Sequence, residues 1–266
     1  MAPKDLLVQI KTAIGFLTVL RIPSVGVQPD DVFAKSTVWF PIIGLLIGAI
    51  AYATGSLATA LFSHNIGAIT IVTFLSAVSG GLHLDGLADT ADGMATPGDK
   101  ADKLGVMSAG NTGPAGSATL IMVLLLQWAV IAEILQIESN IMRFMAITGS
   151  VLISRWTAIP MSAFFRPARL SGLGKSMQLK PKAPTTTIGL SIGLVLISLL
   201  VGWSGIVFLV VGLLSSTFVC QLAARQIGGI TGDVLGASIE ISLTVTLLLF
   251  LFVSMQTDFI PSPLWG

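Results

Sequence analysis

Apolar residues in this chain come in long continuous runs, and polar residues collect between them. The candidate runs are 37–62, 66–83, 115–137, 141–165, 186–202, 204–222 and 234–256. An apolar helix needs roughly 20 residues to cross a bilayer, and each run is at or near that length. Continuous runs predict helices, whereas a membrane barrel shows alternation with period two. The expected fold is therefore all-α: a polytopic integral membrane bundle of about 6–7 transmembrane helices. The count is seven, or six if the pair around Gly202-Trp203-Ser204 is one broken segment. Residues 1–266 read as a single membrane domain, with 1–35 as a cytoplasmic or interfacial N-terminal segment and cytoplasmic loops at 84–114 and 166–185. Lys4, Asp5 and Lys11 lie among apolar positions, a pattern that predicts an amphipathic helix on the membrane surface.

Composition supports the membrane class: 53% of residues are hydrophobic and only 10% charged, with a mean hydropathy of +0.91. A net charge of +1 gives no argument for nucleic-acid binding, and the sole cysteine, Cys220, excludes an intrachain disulfide. The basic residues set the orientation. Lys4, Lys11, Arg21 and Lys35 precede the first run. Lys100 and Lys103 follow the second; Arg166, Arg169, Lys175, Lys180 and Lys182 follow the fourth; Arg225 follows the sixth. With seven spans all of these fall on one side, and only Arg143 and Arg155 lie elsewhere. The positive-inside rule makes that side, and the N-terminus, cytoplasmic. The expectation is a multi-pass protein of the cell (inner) membrane; its oligomeric state, a homo-oligomer included, stays open.

Candidate chemistry concentrates after the second run, in Gly80-Gly81-Leu82-His83-Leu84-Asp85-Gly86-Leu87-Ala88-Asp89-Thr90-Ala91-Asp92-Gly93. Asp85, Asp89 and Asp92 are spaced i, i+4, i+7, which places them on one face of a helix. Like charges so placed repel by a few tenths of a kcal/mol per pair. A divalent cation reverses that sign, and Mg²⁺ takes one or two carboxylates together with substrate phosphates. A solvated helix end is the plain alternative; Gly86 and Gly93 argue against it by thinning the surface for close substrate approach. His83 lies off this face and is either a packing residue or one that orients a carboxylate or donates to phosphate.

Other polar positions have weaker claims. Asp99 and Asp102 sit with Lys100 and Lys103 in a turn that reads as self-compensating. The run from Ser108 to Gly116, with Asn111 inside it, precedes the third span, where backbone N–H groups can meet phosphate. Thr231-Gly232-Asp233 opens the last span, with Asp233 either an N-cap or a site residue. Gly228-Gly229 precedes Asp233 at the offset by which Gly80-Gly81 precedes Asp85, a short internal echo. Glu240 lies two turns deeper, and acids within apolar helices face polar interiors. Arg155 in the fourth span is its partner by charge; the two form either a structural pair or a phosphate-binding pair. Arg166, Arg169, Lys175, Lys180, Lys182 and Arg225 form a cytoplasmic collar that attracts anionic lipid headgroups or a polyanionic substrate.

The aspartate segment closely resembles the signature of the adenosylcobinamide-GDP ribazoletransferase (cobalamin synthase) family. Arg21-Ile22-Pro23 and Trp39-Phe40-Pro41-Ile42-Ile43-Gly44 look like that family's N-terminal pattern. Gly229-Ile230-Thr231-Gly232-Asp233-Val234-Leu235-Gly236-Ala237 and Glu240 look like its C-terminal one. One departure stands out: where members carry Met-Lys/Arg-Asp-Ser-Arg and then Gly, this chain has Met107-Ser108-Ala109-Gly110-Asn111-Thr112-Gly113. The usual aspartate is Ala109, and the usual basic positions are Ser108 and Asn111.

The resemblance implies Mg²⁺-dependent transfer. A hydroxyl of α-ribazole, or of α-ribazole 5′-phosphate, attacks the phosphorus of adenosylcobinamide-GDP that carries the cobinamide arm, and GMP leaves. Asp85 and Asp89 are then expected to hold the metal, with Asp92 a third ligand or the base. Asp233 completes the site or orients the nucleophile, His83 assists, and Arg155, Arg166, Arg225, Asn111 and Glu240 are candidate phosphate or substrate contacts. Two other readings compete. The chain also resembles CDP-alcohol phosphotransferases in chemistry, but Asp89 stands where their motif has arginine. A secondary transporter using Asp85, Arg155 and Glu240 as coupling charges is the other.

Overall fold

The computed structural model describes residues 3–20, 31–169 and 183–256. Arg21, the Ile22-Pro23 that follows it, Lys175, Lys180 and Lys182 lie outside the described residues. The described chain is helical. Helix α1 covers Pro3–Leu17, and α2 (Val32–Ser36) runs through a 3₁₀ turn at Thr37–Trp39 into α3 (Phe40–Leu61). Then come α4 (His64–Val78), α5 (Leu82–Ala95), α6 (Lys100–Val106), α7 (Pro114–Ile134) and α8 (Asn140–Phe164). The last three are α9 (Ala183–Val201), α10 (Gly205–Ile227) and α11 (Gly232–Ser254).

Local chemistry sets many of the boundaries. Ser63 caps α4 by accepting from the Ile66 N–H, Ser139 caps α8 from Met142, and Thr231 caps α11 from Val234. Gly202, at φ +76°, separates α9 from α10, so the two apolar segments flanking Trp203 are distinct helices. Segment 84–114, expected as a loop, is largely ordered into α5 and α6.

The span count differs from seven. Five helices are long and apolar enough to cross a membrane: Val32–Leu61, Pro114–Ile134, Pro184–Val201, Gly205–Ile227 and Gly232–Ser254. A sixth arises if α4 and α5, bent by 85° at the Gly80-Gly81 turn, count as one broken span. The segment expected as the fourth span, 141–165, is the long helix α8, but Arg143, Arg155 and its many hydroxyls lower its apolarity. Its position explains why that is tolerated. Every residue from Met145 to Ser162 is buried, with α3, α9, α10 and α11 packed around it. Small residues allow these contacts: a Cβ on Gly48 of α3 would stand 2.8 Å from the Thr148 Cα. Close packing of this kind holds membrane helices together where lipid removes the hydrophobic drive.

Helix α1 docks on the bundle through Ala13, Phe16 and Leu17 and leaves Leu6 and Leu7 exposed. Phe16 reaches the His83 ring, with centroids 6.2 Å apart. The α4–α5 turn, the starts of α7 and α11 and the ends of α8 and α10 share one end of the bundle, where the polar motifs gather.

Candidate active site

The aspartate segment forms helix α5, as its spacing predicts. Gly81 provides the N-cap at φ +74°, a left-handed conformation that glycine adopts without Cβ strain. Lys103 of α6 closes the other end by donating to the Thr96 carbonyl at 2.6 Å, placing positive charge where the helix dipole favours it.

Helix α5 then packs directly on the start of α11. A Cβ on Gly86 would stand 2.6 Å from the Asp233 carbonyl oxygen, and one on Gly236 would stand 3.2 Å from the His83 Cα. Gly86 therefore admits the α11 backbone, and Gly93 admits Met107. Neither glycine leaves the opening for substrate that the sequence suggests. The consequence is chemical: Asp233 is brought against the Asp85/Asp89 face of a helix nearly 150 residues away in sequence.

The three carboxylates differ in environment. Asp85 is exposed, Asp89 buried and Asp233 partly buried. Asp89 lies on α5, outside the five helices that are each long and apolar enough to cross a membrane. Burial first, then the Asp85, Asp233 and Asp92 carboxylates, raise its pKa to about 6, against the opposing pull of Arg169. Thr231 donates its hydroxyl to the Asp233 Oδ2 at 3.0 Å, and an Arg169 guanidinium nitrogen stands 3.6 Å from the same oxygen. Thr231 is thus the N-cap of α11, and Asp233, two residues on, is free of that duty.

Arg169 owes its place to a short parallel pairing. The Ile230 N–H donates to the Arg166 carbonyl and the Ala168 N–H to the Ile230 carbonyl, both at 2.8 Å. Gly229 permits it, because a Cβ there would overlap the Arg166 carbonyl oxygen. Arg169 also donates to the Ser108 hydroxyl, tying the 166–169 segment to the loop before α7. Nothing in the spacing of the collar singles out Arg169; only this non-local pairing does.

Asp92 is engaged elsewhere. Its Oδ2 accepts from the Gly113 N–H at 2.6 Å and its Oδ1 from the Gly116 N–H at 2.8 Å, so it caps α7 across the chain. Two of the N–H groups expected to meet phosphate, those of Gly113 and Gly116, are taken by this carboxylate. Asp99 and Asp102 form a capping box on α6, which accounts for that turn.

The remaining candidates are spread out. Arg166, Arg225 and Asn111 are exposed at the same end of the bundle. His83, Arg155 and Glu240 form a deeper buried polar layer. Arg155 and Glu240 make no ion pair. The Arg155 guanidinium donates to the Ser154 hydroxyl at 2.8 Å, while Glu240 accepts from Gln127 at 3.1 Å and faces His83 Nδ1 at 3.8 Å. Gln127 on α7 carried no sequence signal of this role.

Among the described residues, no three His, Cys, Asp or Glu side chains converge as a ready metal cage. Two carboxylates one turn apart, a third across from them and an arginine beside it instead suit Mg²⁺, whose remaining ligands come from water and phosphate. A cavity of about 680 Å³ opens beside this cluster and touches it through Asp85.

Comparison with known proteins gives the family. The family model described as cobalamin-5-phosphate synthase matches residues 9–251. An adenosylcobinamide-GDP ribazoletransferase of Acinetobacter baumannii is 34% identical over 91% of this chain and 95% of its own length. One of Roseiflexus is 31% identical over 90% of this chain and 87% of its own. One of Escherichia coli is 33% identical over 90% and 97%. No solved structure matches.

Proposed function

We propose a reaction on the premise that this chain belongs to the cobalamin-5-phosphate synthase family: it joins a ribazole to adenosylcobinamide-GDP. The finer reading is that a ribose hydroxyl of α-ribazole, or of its 5′-phosphate, attacks the phosphorus carrying the cobinamide arm. The bond from that phosphorus to the bridging oxygen breaks, GMP leaves with that oxygen, and adenosylcobalamin or its 5′-phosphate forms. One observation carries this reading: the close packing of α5 on the start of α11 brings Asp233 and its Arg169 partner against the helix that carries Asp85 and Asp89.

Each residue then has a task. Asp85 and Asp89 would hold Mg²⁺, with Asp233 beside them. When bound, the cation neutralises charge that develops on the transferring phosphate. Asp233, fixed by Thr231, orients the attacking hydroxyl and receives its proton. Arg169 presents a fixed positive charge to the leaving nucleotide, a positioning role that phosphoryl transfer rewards. Arg166 and Arg225 extend the basic surface at the same end. Asp92 holds the start of α7 in register and leaves the metal to its neighbours. The polar end faces the cytoplasm, where a water-soluble nucleotide donor is available.

The test is nucleotide release by the purified, detergent-solubilised protein. Supplied with adenosylcobinamide-GDP, α-ribazole and Mg²⁺, it should form GMP and the joined corrinoid in equal amounts. Chelation should stop both and added Mg²⁺ should restore them. Release of GDP, or full activity in chelator, contradicts the mechanism.

A further inference from the structure

The cavity beside Asp85 has a character opposite to the arginine side of the cluster. It lies between the end of α1, the Gly80-Gly81 turn, the outer face of α5 and the start of α7. Gly15, Thr18, Gly81, Ala88 and Thr112 contribute to its wall, and among the described residues Asp85 is the only ionisable side chain there. Among the described residues, no lysine, arginine or histidine lines it. Away from Asp85, where Mg²⁺ would sit, a phosphate placed inside would meet no cationic side chain of the described residues. A neutral group bearing hydroxyls would meet a carboxylate acceptor and the exposed Thr112 hydroxyl.

Size narrows the occupant. At about 680 Å³ the cavity falls within the roughly 300–1,000 Å³ typical of small-ligand sites. A corrinoid macrocycle with its nucleotide is several times larger than a nucleoside and does not fit. Gly15 adds a second, independent sign. It sits in the last turn of α1, where glycine costs about 1 kcal/mol relative to alanine. Yet among the described residues a Cβ there would meet nothing within 4 Å. No neighbouring atom demands glycine at this position; its lack of a side chain keeps the cavity wall open.

We infer that this cavity is the acceptor subsite, holding the base and ribose of a ribazole with the attacking hydroxyl turned toward the Asp85/Asp89/Asp233 cluster and any 5′-phosphate outside in solvent. The inference rests on the ribazole reading above. It divides the site into a neutral acceptor side under α1 and a basic donor side at Arg169, with the Asp85/Asp89/Asp233 cluster between them.

Steady-state kinetics of Gly15→Leu test it, with each substrate varied in turn. Leucine there adds bulk at the cavity wall, where a Cβ meets no described atom within 4 Å. The KM for α-ribazole should rise by at least about tenfold, and the KM for its 5′-phosphate by the same factor, because both share the nucleoside. The KM for adenosylcobinamide-GDP should stay within about twofold of wild type. Thr112→Leu, on an exposed loop across the cavity, should shift the same two constants and serves if Gly15→Leu does not fold. An unchanged ribazole KM in both variants, or an equal rise for donor and acceptor, overturns the inference. Failure of the wild-type protein to join the two substrates overturns the ribazole reading itself, and this inference with it.

Discussion

At the scale of the residue, the aspartates of one helix face divide into two kinds. Asp85 and Asp89 look across at Asp233, while both oxygens of Asp92 are consumed by backbone N–H groups of the α7 start. Removing Asp92 should therefore cost stability. Hydrogen bonds to a charged group contribute about 1.5–3 kcal/mol each, so Asp92→Ala should unfold several degrees below wild type in a thermal melt. Asp85→Asn should melt at or above the wild-type temperature, because it relieves repulsion. Asp89 also sets a pH dependence. Its carboxyl, raised to about 6, is protonated below that value and unavailable to a cation. Affinity for Mg²⁺ or Mn²⁺ should therefore fall as pH drops from 7 through about 6, and Asp89→Asn should flatten the profile. An unchanged profile in the variant would assign the titration to another group. The i, i+4, i+7 spacing made the shared face legible in sequence, but that spacing cannot tell a ligand from a cap. The distinction depends on Gly113 and Gly116, which reach Asp92 only through the tertiary fold.

At the scale of the element, the site depends on two close approaches of backbone. Gly86 lets α5 meet α11, and Gly229 lets the chain after α8 pair with Ile230. Gly86→Leu should force the helices apart and reduce transfer by at least about 100-fold, since misplacement by about 1 Å has that order of cost. Gly229→Val should act on Arg169, raising the donor KM more than the acceptor KM. Equal effects on both substrates would mean that this pairing supports the fold without positioning Arg169. These glycines are visible in the sequence, and the matched offset of Gly80-Gly81 and Gly228-Gly229 hints that the two segments act alike. What they touch is not visible, because each neighbour comes from a distant part of the chain. The same holds for Arg155 and Glu240. Opposite charges in two apolar segments suggest a pair, yet the fold gives Ser154 to one and Gln127 with His83 to the other.

At the scale of the whole molecule, apolar runs reported the helical class and most helix positions. Of the six or seven spans expected, five or six pass on length and apolarity, and α8 does not, because it is shielded by neighbours and tolerates polar residues that a lipid-facing helix would not. The shared end of the bundle, with the aspartates and basic residues together, is what charge distribution along the sequence implied. Its orientation is open to a direct test. Cys220 is buried, so a Cys220→Ser background should be silent to a membrane-impermeant maleimide. A cysteine introduced at Asn111 or Arg225 should then react in inside-out vesicles and stay protected in right-side-out ones. The reverse pattern would place the site on the outer face.

The central claim is that the carboxylates of α5 facing Asp233 carry out the transfer. The most direct measurement is the rate of GMP release by folded Asp85→Asn and Asp89→Asn proteins at saturating substrates and Mg²⁺. Both substitutions keep side-chain size and remove one charge from the cluster. Release should fall to background in each, with the thermal transition preserved. Near-normal release by both would contradict the claim.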